Sequence, residues 1–184
     1  MRALKEGTFI RRFKAKDGRE VTLRAPRWSD LEDMLEFINS LVEEGAKIMA
    51  TEKKTRDEEI DWLAKHLSDL EKNRKVAIAA EVDARFIGQV EVKRRGGYSR
   101  HVGGLGIAIH DGYRDIGIGT ELMKEAEAQA RQMEIEIMTL EVFANNSRAR
   151  HLYEKLGYRV VGCEPKAILK DGVYIDNIIM AKEL

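Results

Sequence analysis

A strand-like apolar segment followed by an arginine and two closely spaced glycines contains the residues of this chain best suited to bind an anion. The segment 105–109 leads into Arg114-x-x-Gly117-x-Gly119, and a helical pattern of apolar residues starts at once after it. The first amides of a helix lack intrahelical partners and carry partial positive charge, and glycine lets a backbone approach a ligand closely. A strand, a glycine loop and a helix N-terminus in this order predict a site for a pyrophosphate group.

Two better-known phosphate-binding loops do not fit these residues. Gly112 and Gly117 have the glycine spacing of a Walker loop, but Ile118 and Gly119 stand where the lysine and the hydroxyl residue belong. The dinucleotide-binding fingerprint needs a third glycine, and this chain has Leu122 at that position. Two glycines before a helix can also form an ordinary turn, so the rest of the chain must decide between a turn and an anion site.

Length and composition predict one domain, spanning residues 1–184, in the cytoplasm. Lys plus Arg and Asp plus Glu number 32 each, and this balance argues against nucleic acid as a partner, because proteins that bind it carry a basic excess. A single cysteine and four scattered histidines predict no internal disulfide and no metal site. Because no segment resembles a signal sequence or a membrane span, we expect no membrane partner.

The pattern of apolar residues and turn signals predicts a mixed α/β (α+β) domain. Helices are expected to begin at Ser29 or Asp30, at Thr55 with Glu58 as capping-box partner, at Gly119, and after Asn145. Strand patterns lie before, between and after these helices. We expect a mixed, mostly antiparallel sheet of about seven strands flanked by about four helices, with a parallel pair of strands around the Gly119 helix.

A second motif follows the Gly119 helix and reads Leu140-Glu141-Val142-x-x-x-Asn146-x-x-Ala149-x-x-Leu152-Tyr153-x-Lys155-x-Gly157-Tyr158. Both motifs, in this order and at this spacing, resemble the GNAT superfamily of acetyl-CoA-dependent N-acetyltransferases, most strongly from about residue 75 to the end. Glu141 with Asn146 and Tyr153 is most similar to the branch that acetylates the N-terminal alanine of ribosomal proteins. The two early helices fit the variable, substrate-facing segment of the family.

The resemblance implies where acetyl-CoA would bind. Main-chain groups of Ile107 and Ile109 would pair with the pantetheine arm, and a backbone amide there would polarise the thioester carbonyl. The glycine loop would hold the pyrophosphate, although Arg114 could instead be a surface residue whose neighbouring amides bind the phosphates. The residues expected to bind the cofactor are Ile107, Ala108, Ile109, Arg114, Asp115, Ile116, Gly117, Ile118, Gly119, Thr120 and Asn146.

The resemblance also implies direct attack of an amine on the thioester, without a metal. Glu141 matches the base position of the alanine-acetylating branch, but a strand residue of this kind could also be a solvated partner of a lysine or arginine. Tyr153 is the candidate acid for the coenzyme thiolate, and it shares an apolar helix face with core residues. The other side chains that could act as a base are Glu81, Glu91, His101 and His110.

Three functions remain open on the sequence alone. The leading one is transfer of an acetyl group from acetyl-CoA to a primary amine in a ternary complex, with a protein N-terminal α-amine among the acceptors. The second takes a small amine, such as a polyamine, an amino acid or an antibiotic. The third is a non-catalytic acyl-CoA-binding domain, and the presence of both Glu141 and Tyr153 argues against it. We expect a monomer or a homodimer, with the strand at residues 173–181 as the segment to inspect for a dimer contact.

Overall fold

The computed structural model describes residues 4–184, which form one sheet with helices on both faces. Eight strands lie in the order β1-β2-β3-β4-β5-β6-β8-β7, one more than the seven expected, because both strands of the short first hairpin join the sheet. The strands are β1 (Phe9–Lys14), β2 (Glu20–Arg24), β3 (Lys75–Val82), β4 (Arg85–Arg94), β5 (Val102–Ile109), β6 (Ile137–Phe143), β7 (Arg159–Lys170) and β8 (Val173–Glu183). The four expected helices are α1 (Leu31–Glu43), α2 (Arg56–Glu71), α3 (Ile118–Gln132) and α4 (Ser147–Lys155).

The sheet splits between its two parallel strands. β5 and β6 pair only from Val102 with Ile137 to Leu105 with Leu140. Beyond this point β5 continues against β4 as far as Ile109, and β6 continues against β8 as far as Phe143. All other neighbouring strands are antiparallel, and α3 makes the crossover between the parallel pair, as predicted. We call the opening between residues 106–109 and 141–143 the β5–β6 cleft.

Two separate apolar cores hold the helices on opposite faces of the sheet. Alternate residues of β3 point to opposite faces, so Ile78 belongs to the core under α3 and Ala79 to the core under α1 and α2. The apolar stripe of α3, including Leu122, Met123 and Ala126, is completely buried in the first core. No helix in residues 4–184 is both long and apolar enough to cross a membrane.

Both early helices begin where the sequence predicts, but only the second has the predicted side-chain cap. Thr55 caps α2 in the predicted capping box with Glu58. Asp30 stands at the N-cap of α1, but its carboxylate does not cap the helix. It pairs instead with Arg24 at 2.7 Å, in an ion pair whose side chains are at most 4% exposed. A buried guanidinium without this partner would be strongly destabilising. The Asp30 carboxylate therefore pairs with Arg24 and not with the free amides of α1.

The strand that we expected to contact a second copy is itself paired on both sides over most of its length. β8 pairs with β6 from Asn177 to Glu183 and with β7 along the hairpin. Its backbone groups there have no free edge, so a second copy could contact this part of β8 only through side chains, and the dimer contact stays a prediction. The edge strand at this side of the sheet is β7, and the exposed apolar residues on it and on the start of β8 are Val160, Val161, Leu169, Val173 and Tyr174.

His66 of α2 is a buried, neutral histidine. It is 2% exposed, Trp62 stacks on its ring at 4.5 Å between centroids, and its Nδ1 lies 2.9 Å from Nζ of Lys75. Lys75 also donates to Glu91 at 2.6 Å. Because an ammonium group only donates, Nδ1 accepts and the ring proton is on Nε2. Burial, together with the positive charge of Lys75, lowers the pKa of His66 to about 4.

The protein should therefore lose stability as the pH falls from about 6.5 towards 4. In this interval the unfolded chain binds a proton at His66 and the folded chain does not. The stability that the neutral His66 contributes is therefore complete above pH 6.5 and is lost progressively as the pH falls to about 4. The loss amounts to at most about 3 kcal/mol. Urea unfolding at pH 7 and pH 5 measures it, with His66→Gln as control. The same difference between the two pH values in His66→Gln would contradict this assignment.

Candidate active site

The β5–β6 cleft presents main-chain hydrogen-bonding groups of β5 that no strand pairs. The amide of His110 donates to the carbonyl of Ile87 on the β4 side at 2.9 Å. Because backbone groups alternate in direction along a strand, those of Ile107 and Ile109 point to the opposite side, into the cleft. The carbonyl of Ile109 already accepts a bond from Nε of Arg114 at 2.7 Å. An extended ligand can add to this edge as a further strand does.

Gly117 and Gly119, at the end of the cleft, are required for different structural reasons. Gly117, the N-cap of α3, has φ +94, a left-handed conformation that favours glycine. At Gly119 the limit is space, since a Cβ would lie 3.3 Å from Cδ2 of Leu152 in α4 and 3.4 Å from Cδ1 of Ile109 in β5. The first amides of α3 carry no side-chain cap. The result is a cradle of backbone amides able to accept an anionic group.

Arg114 fixes the position of the glycine loop. Its guanidinium donates to both carboxylate oxygens of Glu44, next to the end of α1, in addition to the carbonyl of Ile109. The neighbouring Asp115 has φ +64 and lies 3.4 Å from Arg148 of α4. Arg114 and Asp115 were both predicted to bind the cofactor. In the structure their charges are paired with other elements of the protein, and they hold the loop between α1 and α4.

The turn between β1 and β2 forms a further wall of the loop, which the sequence did not predict. The amide of Lys16 donates to the carbonyl of Ile116 at 2.9 Å, and Arg19 donates to the carbonyl of Gly112 at 2.7 Å. The exposed Lys16 side chain passes over Gly117, with its carbons 3.8 Å from where a Cβ would lie. These contacts join residues about 100 positions apart, so no local pattern indicates them.

Glu141 is the first residue of β6 beyond the paired region and lies at the mouth of the cleft. Its Oε2 accepts a bond from Nδ2 of the buried Asn177 at 2.9 Å, and the same amide donates to Glu164 at 2.9 Å. No lysine or arginine of the described chain forms an ion pair with Glu141, so the alternative of a solvated ion pair is not supported. The carboxylate is exposed and is held by a neutral amide.

The other possible bases are engaged elsewhere or lie apart. Glu81 pairs with Arg24 at 2.8 Å, and Glu91 with Lys75 at 2.6 Å. Nδ1 of His110 lies 2.7 Å from the carbonyl of Asp111, an arrangement in which Nδ1 must be the donor. His101 lies at the opposite end of β5 from the glycine loop. Among the carboxylates considered, Glu141 alone is free of a cationic partner within residues 4–184.

Tyr153 and Asn146 lie on and before α4. Tyr153 is 7% exposed, and burial raises the pKa of its hydroxyl to about 12. The hydroxyl has no hydrogen-bond partner in the part of the chain that the structure describes, so it is a protonated group with its proton free to donate. Asn146 uses Oδ1 to cap α4 through the amide of Ala149 at 3.3 Å. Tyr158 packs in the core, as expected.

A cavity of about 340 Å³ lies between α1, α2 and β4, on the side of β5 away from the β5–β6 cleft. Its walls include Phe37, Trp62 and Phe86, and Gln89 of β4 contributes to its floor. Gln89 pairs directly with Ala108 of β5, so the cavity begins one strand away from the cleft. The sequence did not predict this cavity, which forms only when distant segments pack together.

Comparison with known proteins decides the family. A family model described as the acetyltransferase (GNAT) family matches residues 35–158, more than half of the chain, and this stretch contains the cleft, the glycine loop and Tyr153. The chain belongs to the GNAT family. It is therefore an acetyl-CoA-dependent N-acetyltransferase, as the two sequence motifs indicated.

The names of two relatives specify different substrates. The chain is 29% identical over 108 residues to an L-amino acid N-acetyltransferase of Escherichia coli strain K12, covering 57% of this chain and 66% of that protein. It is 27% identical over 160 residues to an N-alpha-acetyltransferase of Sulfurisphaera tokodaii, covering 80% of this chain and 86% of that protein. These names do not agree on one acceptor.

Solved structures share the GNAT fold. A ribosomal-protein-alanine N-acetyltransferase from Brucella melitensis superposes with a TM-score of 0.78 at 22% identity, covering 88% of this chain and 99% of that one. A phosphinothricin acetyltransferase from Sinorhizobium meliloti, solved in complex with acetyl-CoA, gives 0.79 at 19% identity, covering 89% and 88%. At these identities the likeness concerns the fold alone.

The conformation at Gly117 predicts a specific loss of stability. Gly117→Ala should lower the free energy of unfolding by about 1 kcal/mol, because an alanine is strained at this positive φ even though only side-chain carbons of Lys16 lie nearby. Gly96→Ala is the matched control, since Gly96 has φ −99 and nothing within 4 Å of a Cβ. Urea unfolding of both variants measures the difference, and equal stability of the two would contradict the conformation described.

Proposed function

We propose that the protein transfers an acetyl group from acetyl-CoA, bound in the β5–β6 cleft, directly to the α-amine of its acceptor. The observation that carries this proposal is the unpaired edge of β5. The glycine loop connects the end of this edge to the first amides of α3, which have no side-chain cap. An extended pantetheine arm fits such an edge, and a pyrophosphate fits such a helix start. The close packing at Gly119 also holds the start of α3 against β5 and α4, because a Cβ there would lie within 3.4 Å of both Ile109 and Leu152.

Within the cradle the main-chain amides of Ile118, Gly119 and Thr120 are the groups that would hold the pyrophosphate. Lys16 adds an exposed positive charge beside Gly117. Arg114 is a positioning residue in this proposal, because Glu44 already balances its charge. Asn146 retains its amide NH2 group, which would contact the pantetheine arm while Oδ1 caps α4.

The acetyl-CoA thioester supplies the carbonyl carbon that the amine attacks. Glu141 accepts the amine proton, directly or through a water molecule, while Asn177 holds the carboxylate in place. A cleft-facing amide of β5 donates to the carbonyl oxygen as negative charge develops there. Tyr153 donates its proton to the departing sulfur, whose thiol has a pKa near ~8.5. Burial raises the pKa of Tyr153 to about 12, so its hydroxyl is protonated at neutral pH and is available as a hydrogen-bond donor to the sulfur.

The α-amine is the acceptor class that chemistry and the relatives both favour. An α-amine has a pKa near ~8 and loses a proton at neutral pH far more readily than a lysine side chain at ~10.4. The names of the two relatives, an L-amino acid N-acetyltransferase and an N-alpha-acetyltransferase, support this group. A non-catalytic acyl-CoA-binding role is disfavoured, because a carboxylate without a cationic partner within residues 4–184 lies at the mouth of the cleft and α4 carries a protonated tyrosine.

Release of free thiol from acetyl-CoA in the presence of α-amines tests the proposal, with Tyr153→Phe as the decisive variant. We expect turnover by the parent protein and about a 100-fold lower kcat in Tyr153→Phe. The Kd for acetyl-CoA should stay nearly the same, because a phenyl ring fills the same buried space.

Tyr158→Phe is the matched control and should keep its turnover, since Tyr158 is buried in the core beside Glu127 of α3. Full turnover in Tyr153→Phe would remove Tyr153 from the proton transfer. An absence of acetyl-CoA binding in calorimetry would refute the placement of the coenzyme.

A further inference from the structure

The cavity between α1, α2 and β4 is lined by two acceptor groups, the Glu59 carboxylate and the Gln89 amide oxygen, that have no side-chain hydrogen-bond donor within residues 4–184. Glu59 as a whole residue is 5% exposed, and its carboxylate forms no hydrogen bond or ion pair within residues 4–184. Oε1 of Gln89 is also buried without a partner in that range. The other walls near them are aromatic, from Phe37, Trp62 and Phe86. Buried polar groups are normally hydrogen-bonded, so the Glu59 carboxylate and the Gln89 amide oxygen both indicate a missing donor.

A ligand that completes this cavity must bring N–H or O–H donors and an apolar body. Carboxylate and amide oxygens only accept, and leaving them unpaired in an apolar cavity is unfavourable. Burial accordingly raises the pKa of Glu59. An ammonium group has three donors and can interact with aromatic faces as well, so it suits both the oxygens and the walls.

The charges around the cavity disfavour a ligand that carries a carboxylate. Its lining holds two carboxylates, Glu58 and Glu59, and only one cation, Lys54. Nζ of Lys54 already lies 3.6 Å from Glu58. A ligand carboxylate would therefore find no free positive partner in the lining and would lie near the charge of Glu59.

We propose that this cavity binds the acceptor, and that the acceptor is a primary amine with a compact apolar side group and no carboxylate. Its N–H groups donate to Glu59 and Gln89, and the apolar group lies against Phe37, Trp62 and Phe86. Because Gln89 pairs with Ala108, the amine is then next to the β5–β6 cleft. An N-terminal residue of a peptide and a small amine share this chemistry. The identification of the ligand as acceptor rests on the proposed function.

Binding can be measured without turnover by the fluorescence of Trp62. The chain has two tryptophans, so Trp28→Phe leaves the one that lines the cavity. L-leucinamide and L-leucine are the probes, since they differ only in the carboxylate. We expect leucinamide to bind about tenfold more tightly or better, and Glu59→Gln to remove about tenfold of that affinity. Asp61→Asn, an exposed change of the same charge on α2, should have no effect. Equal binding of the two probes, or unchanged binding in Glu59→Gln, would overturn the proposal.

Acetylation of leucinamide and of a short peptide with N-terminal leucine distinguishes the two sources of the amine. Faster turnover of the peptide assigns the cavity to protein N-termini, and faster turnover of leucinamide assigns it to small amines. Binding that depends on Glu59 without any thioester turnover would refute the proposed function alone. Turnover that does not depend on Glu59, with leucine accepted as well as leucinamide, would refute the cavity assignment alone.

Discussion

Strand β5 is fully paired on one side and half paired on the other, and the site is built on this asymmetry. Unpaired backbone groups are unfavourable unless water or a ligand satisfies them. β4 keeps β5 extended as far as Ile109, and the two strands approach so closely that a Cβ at Gly88 would lie 2.6 Å from the carbonyl oxygen of Ala108. The free edge is therefore held in the conformation that an added extended ligand needs.

Helix α1 links the two halves of the site. Phe37 contributes to the wall of the cavity, and Glu44, directly after the helix, holds Arg114 of the glycine loop. Arg114 in turn donates to the carbonyl of Ile109 at the end of the cleft. The helix that lines the cavity thus also fixes the glycine loop. This connection explains why Arg114 belongs to the motif although its charge is paired within the protein.

The sequence predicted those features that depend on neighbouring residues. The cap at Thr55 and the crossover around α3 follow from local threonine and apolar patterns. Contacts between distant segments were not predictable in this way. Asp30 was expected to cap a helix, but Arg24 and the fold around it decide its partner. Lys16 reaches the glycine loop, and Glu59 meets Gln89 in one cavity, only because separate segments pack together.

Hydrogen–deuterium exchange of the amides along β5 and α3, with and without acetyl-CoA, tests the central claim most directly. If the coenzyme adds to the free edge of β5, the amides of Ile107 and Ile109 and the first amides of α3 will become strongly protected. The amide of His110, already bonded to Ile87, will change little. Saturating acetyl-CoA that leaves the exchange of residues 107–109 and 118–120 unchanged would show that the coenzyme binds elsewhere and would contradict the account.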